Sequence, residues 1–270
     1  MLLDKLQQSF LFMNTKEQKL QAFEELLGIM DELREKCPWD RKQTLQSLRH
    51  LTLEEVYELS DALLGEDLEE IKKELGDVLL HLIFYAKIGS EKNSFDIGDV
   101  IKSLNEKLIF RHPHIYGDTE VKNEEEVKRN WEKLKLKEGQ KSVLAGVPKS
   151  LPPVIKAFRI QEKVKGIGFE FPNAEEAWKK VEEELKEFHT EQDFRKKEEE
   201  LGDIFFSLIN YARLLDINPD TALERTNQKF IKRFQCMERL AQEENTTLSE
   251  LNLDEIEQLW NKAKTIIKNP

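Results

Sequence analysis

The 270-residue sequence is poor in the residues that punctuate β structure, with 11 glycines and 8 prolines. So few turn formers in a chain of this length exclude a turn-rich β protein. Cysteine is scarcer still: Cys37 and Cys236 lie far apart and form no C-x-x-C pair. That excludes a disulfide framework and a thiolate zinc cage, and it suits a reducing compartment. Long apolar runs are missing too. The longest, Val78 to Ala86, is interrupted by His81 and falls far short of the roughly 20 residues a membrane helix needs. No secretory signal is visible around Asp4. Positive charge is in deficit, since 42 Lys plus Arg against 53 Asp plus Glu give a net charge of −11. A nucleic-acid binder that relied on bulk charge would carry the opposite sign. These absences predict a soluble, cytoplasmic chain that binds neither nucleic acid nor membrane.

What is abundant is charge, at 35% of residues against 39% hydrophobic, as expected of long helices with charged outer faces. Thr15-x-x-Gln18 opens a helix with Leu20, Phe23, Leu27, Met30 and Leu33 on one face, stopping before Cys37-Pro38. A second is expected over Leu53 to Leu64, ending at Gly65. Asp67-x-x-Glu70 starts a third, running to about Gly89; Asp96 caps a fourth that ends near His112-Pro113; Asn123-x-x-Glu126 caps a fifth, closed by Gly139. Gly146, Pro148, Ser150, Pro152 and Pro153 mark a linker. Beyond it Asn173-x-x-Glu176, Asp193 and Pro219 open further helices, and the last covers about Asp254 to Ile267.

The chain repeats itself. Glu54-Glu55-x-x-Glu58 recurs as Glu183-Glu184-x-x-Glu187, an offset of 129, and Glu74-Leu75-Gly76-Asp77 as Glu200-Leu201-Gly202-Asp203, an offset of 126. Asn105-x-Lys107-x-x-x-Arg111 recurs as Asn227-x-Lys229-x-x-x-Arg233, offset 122, and Trp131-x-x-x-Lys135 as Trp260-x-x-x-Lys264, offset 129. Four signatures in one order at nearly constant displacement indicate a tandem duplication. The expected division is a module over 1–139, a linker over 140–153 and a module over 154–270.

In Glu183-Glu184-x-x-Glu187 the i, i+3 and i, i+4 spacings place carboxylates on one helical face, as does the i, i+3 pair Glu200 and Asp203. The segments after Asp77 and Asp203 are apolar over most of their circumference and are expected to be buried, with the acidic turn at the mouth of a core. Clustered carboxylates there repel one another and resist desolvation unless a cation compensates. An oxygen-liganded divalent ion resolves this, and Mg²⁺ keeps open water positions for substrate phosphates. No His follows a Glu by three residues, so the Glu-x-x-His pairs of di-iron bundles are absent. Mg²⁺ or Mn²⁺ is therefore favoured over redox iron.

Lys229 with Arg233, and Lys107 with Arg111, each project two positive charges from one face, suited to phosphate oxygens. Trp260 with Lys264 and Trp131 with Lys135 offer either an aromatic surface for a stacked base beside a cation, or a core tryptophan with solvated lysines. Lys180 lies one turn before Glu184, whereas its first-repeat counterpart is Leu51; the second repeat is thus expected to be better equipped with cations. His112-Pro113-His114 reads as a helix stop, and Cys37 and Cys236 as packing residues.

Together with Cys37-Pro38-Trp39-Asp40 and Arg111-His112-Pro113-His114, the doubled acidic pattern resembles the MazG family of nucleoside triphosphate pyrophosphohydrolases over almost the whole chain. The resemblance implies an all-α fold of tandem four-helix-bundle-type modules, completed by homodimerisation. It also implies Mg²⁺-dependent cleavage of nucleoside triphosphates, with deoxynucleotides as further candidates, to NMP and pyrophosphate. By motif position Glu184, Glu187, Glu200 and Asp203 resemble the metal ligands, with Glu55, Glu58, Glu74 and Asp77 as a second set. Lys180, Lys229, Arg233 and Trp260 resemble the nucleotide-binding residues. Glu184 and Lys264 join that substrate-contacting set, as do the counterparts Lys107, Arg111, Trp131 and Lys135. Glu183 is a candidate catalytic residue, and residues 1–13 receive no role. The competing expectation is a duplicated interaction module whose acidic faces dock a basic partner without chemistry.

Overall fold

Every regular element among the described residues, which in this computed structural model are 13–124, 126–127, 130–131, 134 and 142–267, is helical. They fall into two compact units that divide between Asp118 and Thr119. The first holds α1 (Lys16–Lys36), α2 (Leu45–Gly65), α3 (Leu68–Glu91) and α4 (Ile97–Arg111), followed by a single turn over Pro113–Tyr116. The second holds α5 (Pro153–Lys165), α6 (Ala174–Thr190), α7 (Phe194–Leu214), α8 (Pro219–Glu243) and α9 (Leu253–Ile266). None of these helices is long and apolar enough to cross a membrane.

Side-chain caps set most of the starts. Thr15 and Gln18 form a capping box, Asp67 accepts from the amides of Glu69 and Glu70, and Asp96, Asn173 and Asp193 do the same work for α4, α6 and α7. The amide of Glu126 bonds Asn123 Oδ1 at 3.0 Å; the expected end of that helix, at Gly139, lies outside the described residues. One expected helix start needs correction. α2 begins at Leu45 and not Leu53, because Thr44 and Ser47 form its capping box at 2.8 and 3.1 Å. Residues 153–165, approached through a proline-rich linker, are the helix α5: Pro153 stands in its first turn, where its fixed φ suits a helix and its missing N–H costs nothing.

The first core gathers Met30 of α1, Leu48 of α2 and Ile83, Phe84 and Ile88 of α3. In the second unit Cys236, Met237 and Ala241 of α8 meet Leu259 and Ala263 of α9. α5 is stitched to α7 by buried Gln161, whose Nε2 donates to Phe206 O at 2.8 Å. Buried Lys163 donates to Val143 O at 3.2 Å and Ala145 O at 3.4 Å, pinning the chain that leads into α5.

The apolar segments of α3 and α7 are not buried all round, contrary to expectation. His81, Ile83, Phe84 and Ala86 face inward, but Leu82 keeps 53% of its surface exposed; Ile204 and Ile209 are inside, while Phe205 is 58% exposed. α4 contributes no buried residue at all, although Val100, Leu104 and Leu108 lie along it. These helices carry more apolar surface than the described residues cover.

Arg34 closes the first unit. Its guanidinium makes a two-pronged pair with Glu91 at 2.8 and 2.5 Å, donates to the carbonyls of Asp40 and Gln43, and lies 5.4 Å over the Phe84 ring. One side chain therefore ties the end of α1, the 3₁₀ turn at Asp40–Lys42 and the end of α3. Arg34→Met should cost about 2 kcal/mol in urea denaturation, a typical loss for charge-assisted bonds to part-buried carbonyls. Its hydrogen bonds hold the Glu91 carboxyl below its ordinary range. The Glu91 contribution is therefore present above the ordinary carboxylate value and is lost as pH falls through the lowered one.

Two carboxylate clusters as candidate metal centres

Each acidic motif pair is brought together by a helical hairpin. α2 and α3 pack side by side across the Glu66–Asp67 turn, and α6 and α7 across residues 191–193. Glu58 and Glu74 lie eight residues either side of Glu66, and Glu55 and Asp77 eleven, so antiparallel pairing brings them level. Glu187 and Glu200 are the seventh residues either side of the Asp193–Phe194 bond, and Glu184 and Asp203 the tenth. Helical periodicity supplies the shared face, and the turn supplies the register.

In the first unit one carboxylate oxygen from each of Glu55, Glu58 and Glu74 lies within 4.8 Å of the others, and Glu184, Glu187 and Glu200 do the same in the second. Asp77 and Asp203 are not in these sets, although both press on them electrostatically. Glu74 is only 4% exposed; its Oε1 accepts from Lys73 Nζ at 2.8 Å, and its Oε2 is buried with no partner. Glu184, 5% exposed, is held by Lys180 Nζ at 2.8 Å, which also donates to Glu183 Oε1 at 2.7 Å. These bonds to Glu183 and Glu184 raise the Lys180 pKa. Burial, then Asp77, Glu58, Glu74 and Glu54, push the Glu55 carboxyl up. Burial, then Glu187, Glu184, Asp203 and Glu191, do so for Glu200.

The donor chemistry fits a hard divalent cation. All six groups are carboxylates, with no imidazole or thiolate among them. An octahedral ion with bonds of about 2.1 Å keeps its ligand oxygens within about 4.2 Å of one another, so a small closing suffices. An orphaned buried oxygen such as Glu74 Oε2 costs free energy unless something binds it. Both clusters could hold a metal.

A second grouping lies on α8 and α9. Trp260, half-buried against the core, has the Phe230 ring at 5.2 Å, the Arg233 guanidinium at 6.0 Å and Lys264 Nζ at 5.9 Å. Lys229 is half-buried one turn before Arg233 on the same helix. Trp260 is thus at once a core residue and a ring flanked by cations, an arrangement compatible with either sequence alternative. In the first unit Lys107 is exposed and Arg111 half-buried on α4, Trp131 is half-buried, and Lys135 lies outside the described residues.

Two features escaped the sequence reading. Lys73 gives the first cluster a cation of its own, so that cluster is better equipped than the comparison of Leu51 with Lys180 suggests. Thr52, within α2, is the centre of a part-buried network. Its Oγ1 lies 2.9 Å from Leu48 O, 2.7 Å from His81 Nδ1 and 2.6 Å from Tyr85 OH. With the Thr hydrogen on the Leu48 carbonyl, His81 Nδ1–H and Tyr85 O–H are the donors to Thr52. The interruption of the Val78–Ala86 stretch by a histidine was the available signal. Thr52→Val should cost about 2 kcal/mol, leaving the buried His81 ring and the half-buried Tyr85 hydroxyl without this partner. Burial lowers the His81 pKa. Stability should therefore fall as pH drops below the ordinary imidazole value of about 6.5, and His81→Ser should flatten that decline.

The family model of the MazG nucleotide pyrophosphohydrolase domain matches residues 43–116, which span the first cluster. The nucleoside triphosphate pyrophosphohydrolase/pyrophosphatase MazG of Thermotoga maritima is 42% identical over 247 residues, 90% of this chain and 95% of that protein. The nucleoside triphosphate pyrophosphohydrolase of Escherichia coli K12 is 35% identical over 257 residues, 91% of this chain and 98% of that protein. An uncharacterised Bacillus subtilis protein, YabN, is 43% identical over 92% of this chain and 53% of its own length. With near full-length likeness at these identities, and the acidic hairpins in place, the chain belongs to the MazG nucleotide pyrophosphohydrolase family.

Proposed function

We propose that this chain is a Mg²⁺-dependent nucleoside triphosphate pyrophosphohydrolase, cleaving the α–β phosphoanhydride to NMP and pyrophosphate. The observation that carries this reading is the convergence of three carboxylates in each hairpin, one of them with a buried oxygen lacking any partner. The names of the relatives from T. maritima and E. coli support the reaction. The metal ligands in this reading are Glu184, Glu187, Glu200 and Asp203, with Glu55, Glu58, Glu74 and Asp77 as the second set. Mn²⁺ is the expected substitute. The modules are 1–139 and 154–270, joined by 140–153.

A divalent ion bound there supplies neutralisation of phosphate charge and acidification of water. Lys180, Lys229 and Arg233 bind the polyphosphate, and they stabilise the charge that builds on the departing pyrophosphate. Trp260, with Lys264 beside it, offers its ring to the base. A water oxygen bonds to phosphorus in line with the bridging oxygen; that P–O bond breaks, and its electron pair leaves with pyrophosphate. Glu183, whose Oε1 accepts from Lys180 at 2.7 Å, is in this reading the candidate base for the water's proton. Apolar side chains left exposed on α3, α4 and α7 support a homodimer in which a second copy covers them. The lack of a membrane-crossing helix among the described residues and the two unpaired cysteines support a cytoplasmic setting.

Product identification tests the reading. Incubation with each of several NTPs and dNTPs plus Mg²⁺ should yield NMP and pyrophosphate in equal amounts. Release of NDP and phosphate, or no turnover, would contradict it.

A further inference from the structure

The two clusters use the same motifs but exchange the roles of their helices. The repeat pairs Glu55 with Glu184 and Glu74 with Glu200, yet the buried member is Glu74 on α3 in the first unit and Glu184 on α6 in the second. The lysine follows the buried carboxylate. Lys180 reaches Glu184 from one turn away on α6, whereas Lys73 reaches Glu74 from the next position on α3. These lysines do not correspond: the repeat sets Leu51 against Lys180 and Glu199 against Lys73. Leu51 packs against the first core and cannot act as a cation. Each hairpin therefore obtains one ammonium group, from opposite helices.

Resting on the reading that a metal-bound nucleotide occupies these hairpins, we infer that Lys73 is a polyphosphate-binding cation of the first module, delivered from α3 where the second module delivers Lys180 from α6. Lys73 holds one oxygen of Glu74 and leaves the other buried and unpartnered, so the carboxylate keeps a position for a divalent ion. The Lys73 side chain is 63% exposed and also approaches Glu70 at 3.7 Å. It is thus a mobile point charge on the rim of the cluster, free to swing to an anion. Once a dication takes up the charge of Glu74, the pull on the ammonium weakens, and a phosphate oxygen becomes its best partner.

The test uses the full chain with the second cluster disabled by Glu184→Gln and Glu200→Gln. Binding of Mg²⁺ alone, and of α,β-methylene-ATP in saturating Mg²⁺, is measured by calorimetry. Adding Lys73→Met should weaken the nucleotide analogue about tenfold or more, the usual loss for one charge-assisted bond. Mg²⁺ alone should bind as tightly or more tightly, because a competing cation is gone. Lys73→Arg should recover most of the affinity. Unchanged analogue affinity in Lys73→Met, or an equal loss of Mg²⁺ affinity, would overturn the assignment. So would absence of analogue binding when Lys73 is intact. If the wild-type chain still releases pyrophosphate in that last case, only the role of Lys73 falls; if it does not, the proposed reaction falls with it.

Discussion

Glu184→Gln should reduce pyrophosphate release by the second module about 10²–10³-fold, the loss seen when one preorganised electrostatic group is removed from a reacting centre. Glu184 is buried, is one of three carboxylates within 4.8 Å, and anchors Lys180. The amide keeps its shape but loses the charge, so the metal is held weakly and Lys180 loses one of its two carboxylate partners, Glu183 remaining. Circular dichroism should be unchanged, since the substitution is isosteric and removes repulsion. Rates are best compared in a chain whose first cluster carries Glu58→Gln, so that turnover reports one module. A variant that keeps most of its activity there would remove Glu184 from the machinery.

Neutralising the crowded carboxylates should have the opposite effect on stability. Glu200 is opposed in its ionised form by burial and four neighbouring carboxylates, and Glu55 by burial and four others. Glu55→Gln with Glu200→Gln should therefore raise the thermal midpoint of the metal-free protein while abolishing most of its response to Mg²⁺. In the wild type, Mg²⁺ at about a hundred times its Kd should add about 2.7 kcal/mol per site. The sign of the pH effect follows from the raised pKa values. Between the ordinary carboxylate value near 4.3 and the raised one, the folded chain holds protons that the unfolded chain has released. The stabilising contribution is complete below the ordinary value and is lost as pH rises through the folded one. Scanning calorimetry with EDTA, with Mg²⁺, and with NaCl at matched ionic strength separates this effect from screening. Equal stabilisation by NaCl would favour acidic faces that dock a partner.

Local chemistry is why so much of the fold was legible. Thr15, Asp67, Asp96, Asn173 and Asp193 cap helices because a short oxygen-bearing side chain can reach the next amides regardless of tertiary context. The carboxylate sets were legible for a similar reason, since i, i+3 spacing and duplication are properties of the chain itself. Thr52 was not legible because its role depends on meeting His81 and Tyr85 across the hairpin. α5 was not legible because Pro serves a linker and a first helical turn equally well. Which carboxylate of each set is buried, and which helix supplies its lysine, depends on how two helices meet. No periodicity records that.

Whether each hairpin gathers its carboxylates around a divalent ion is decided by titrating the metal-free chain with Mg²⁺ in a calorimeter. Uptake should saturate at two ions per chain, one lost in Glu74→Gln and the other in Glu184→Gln. Uptake that never saturates, or that is indifferent to both substitutions, would contradict it.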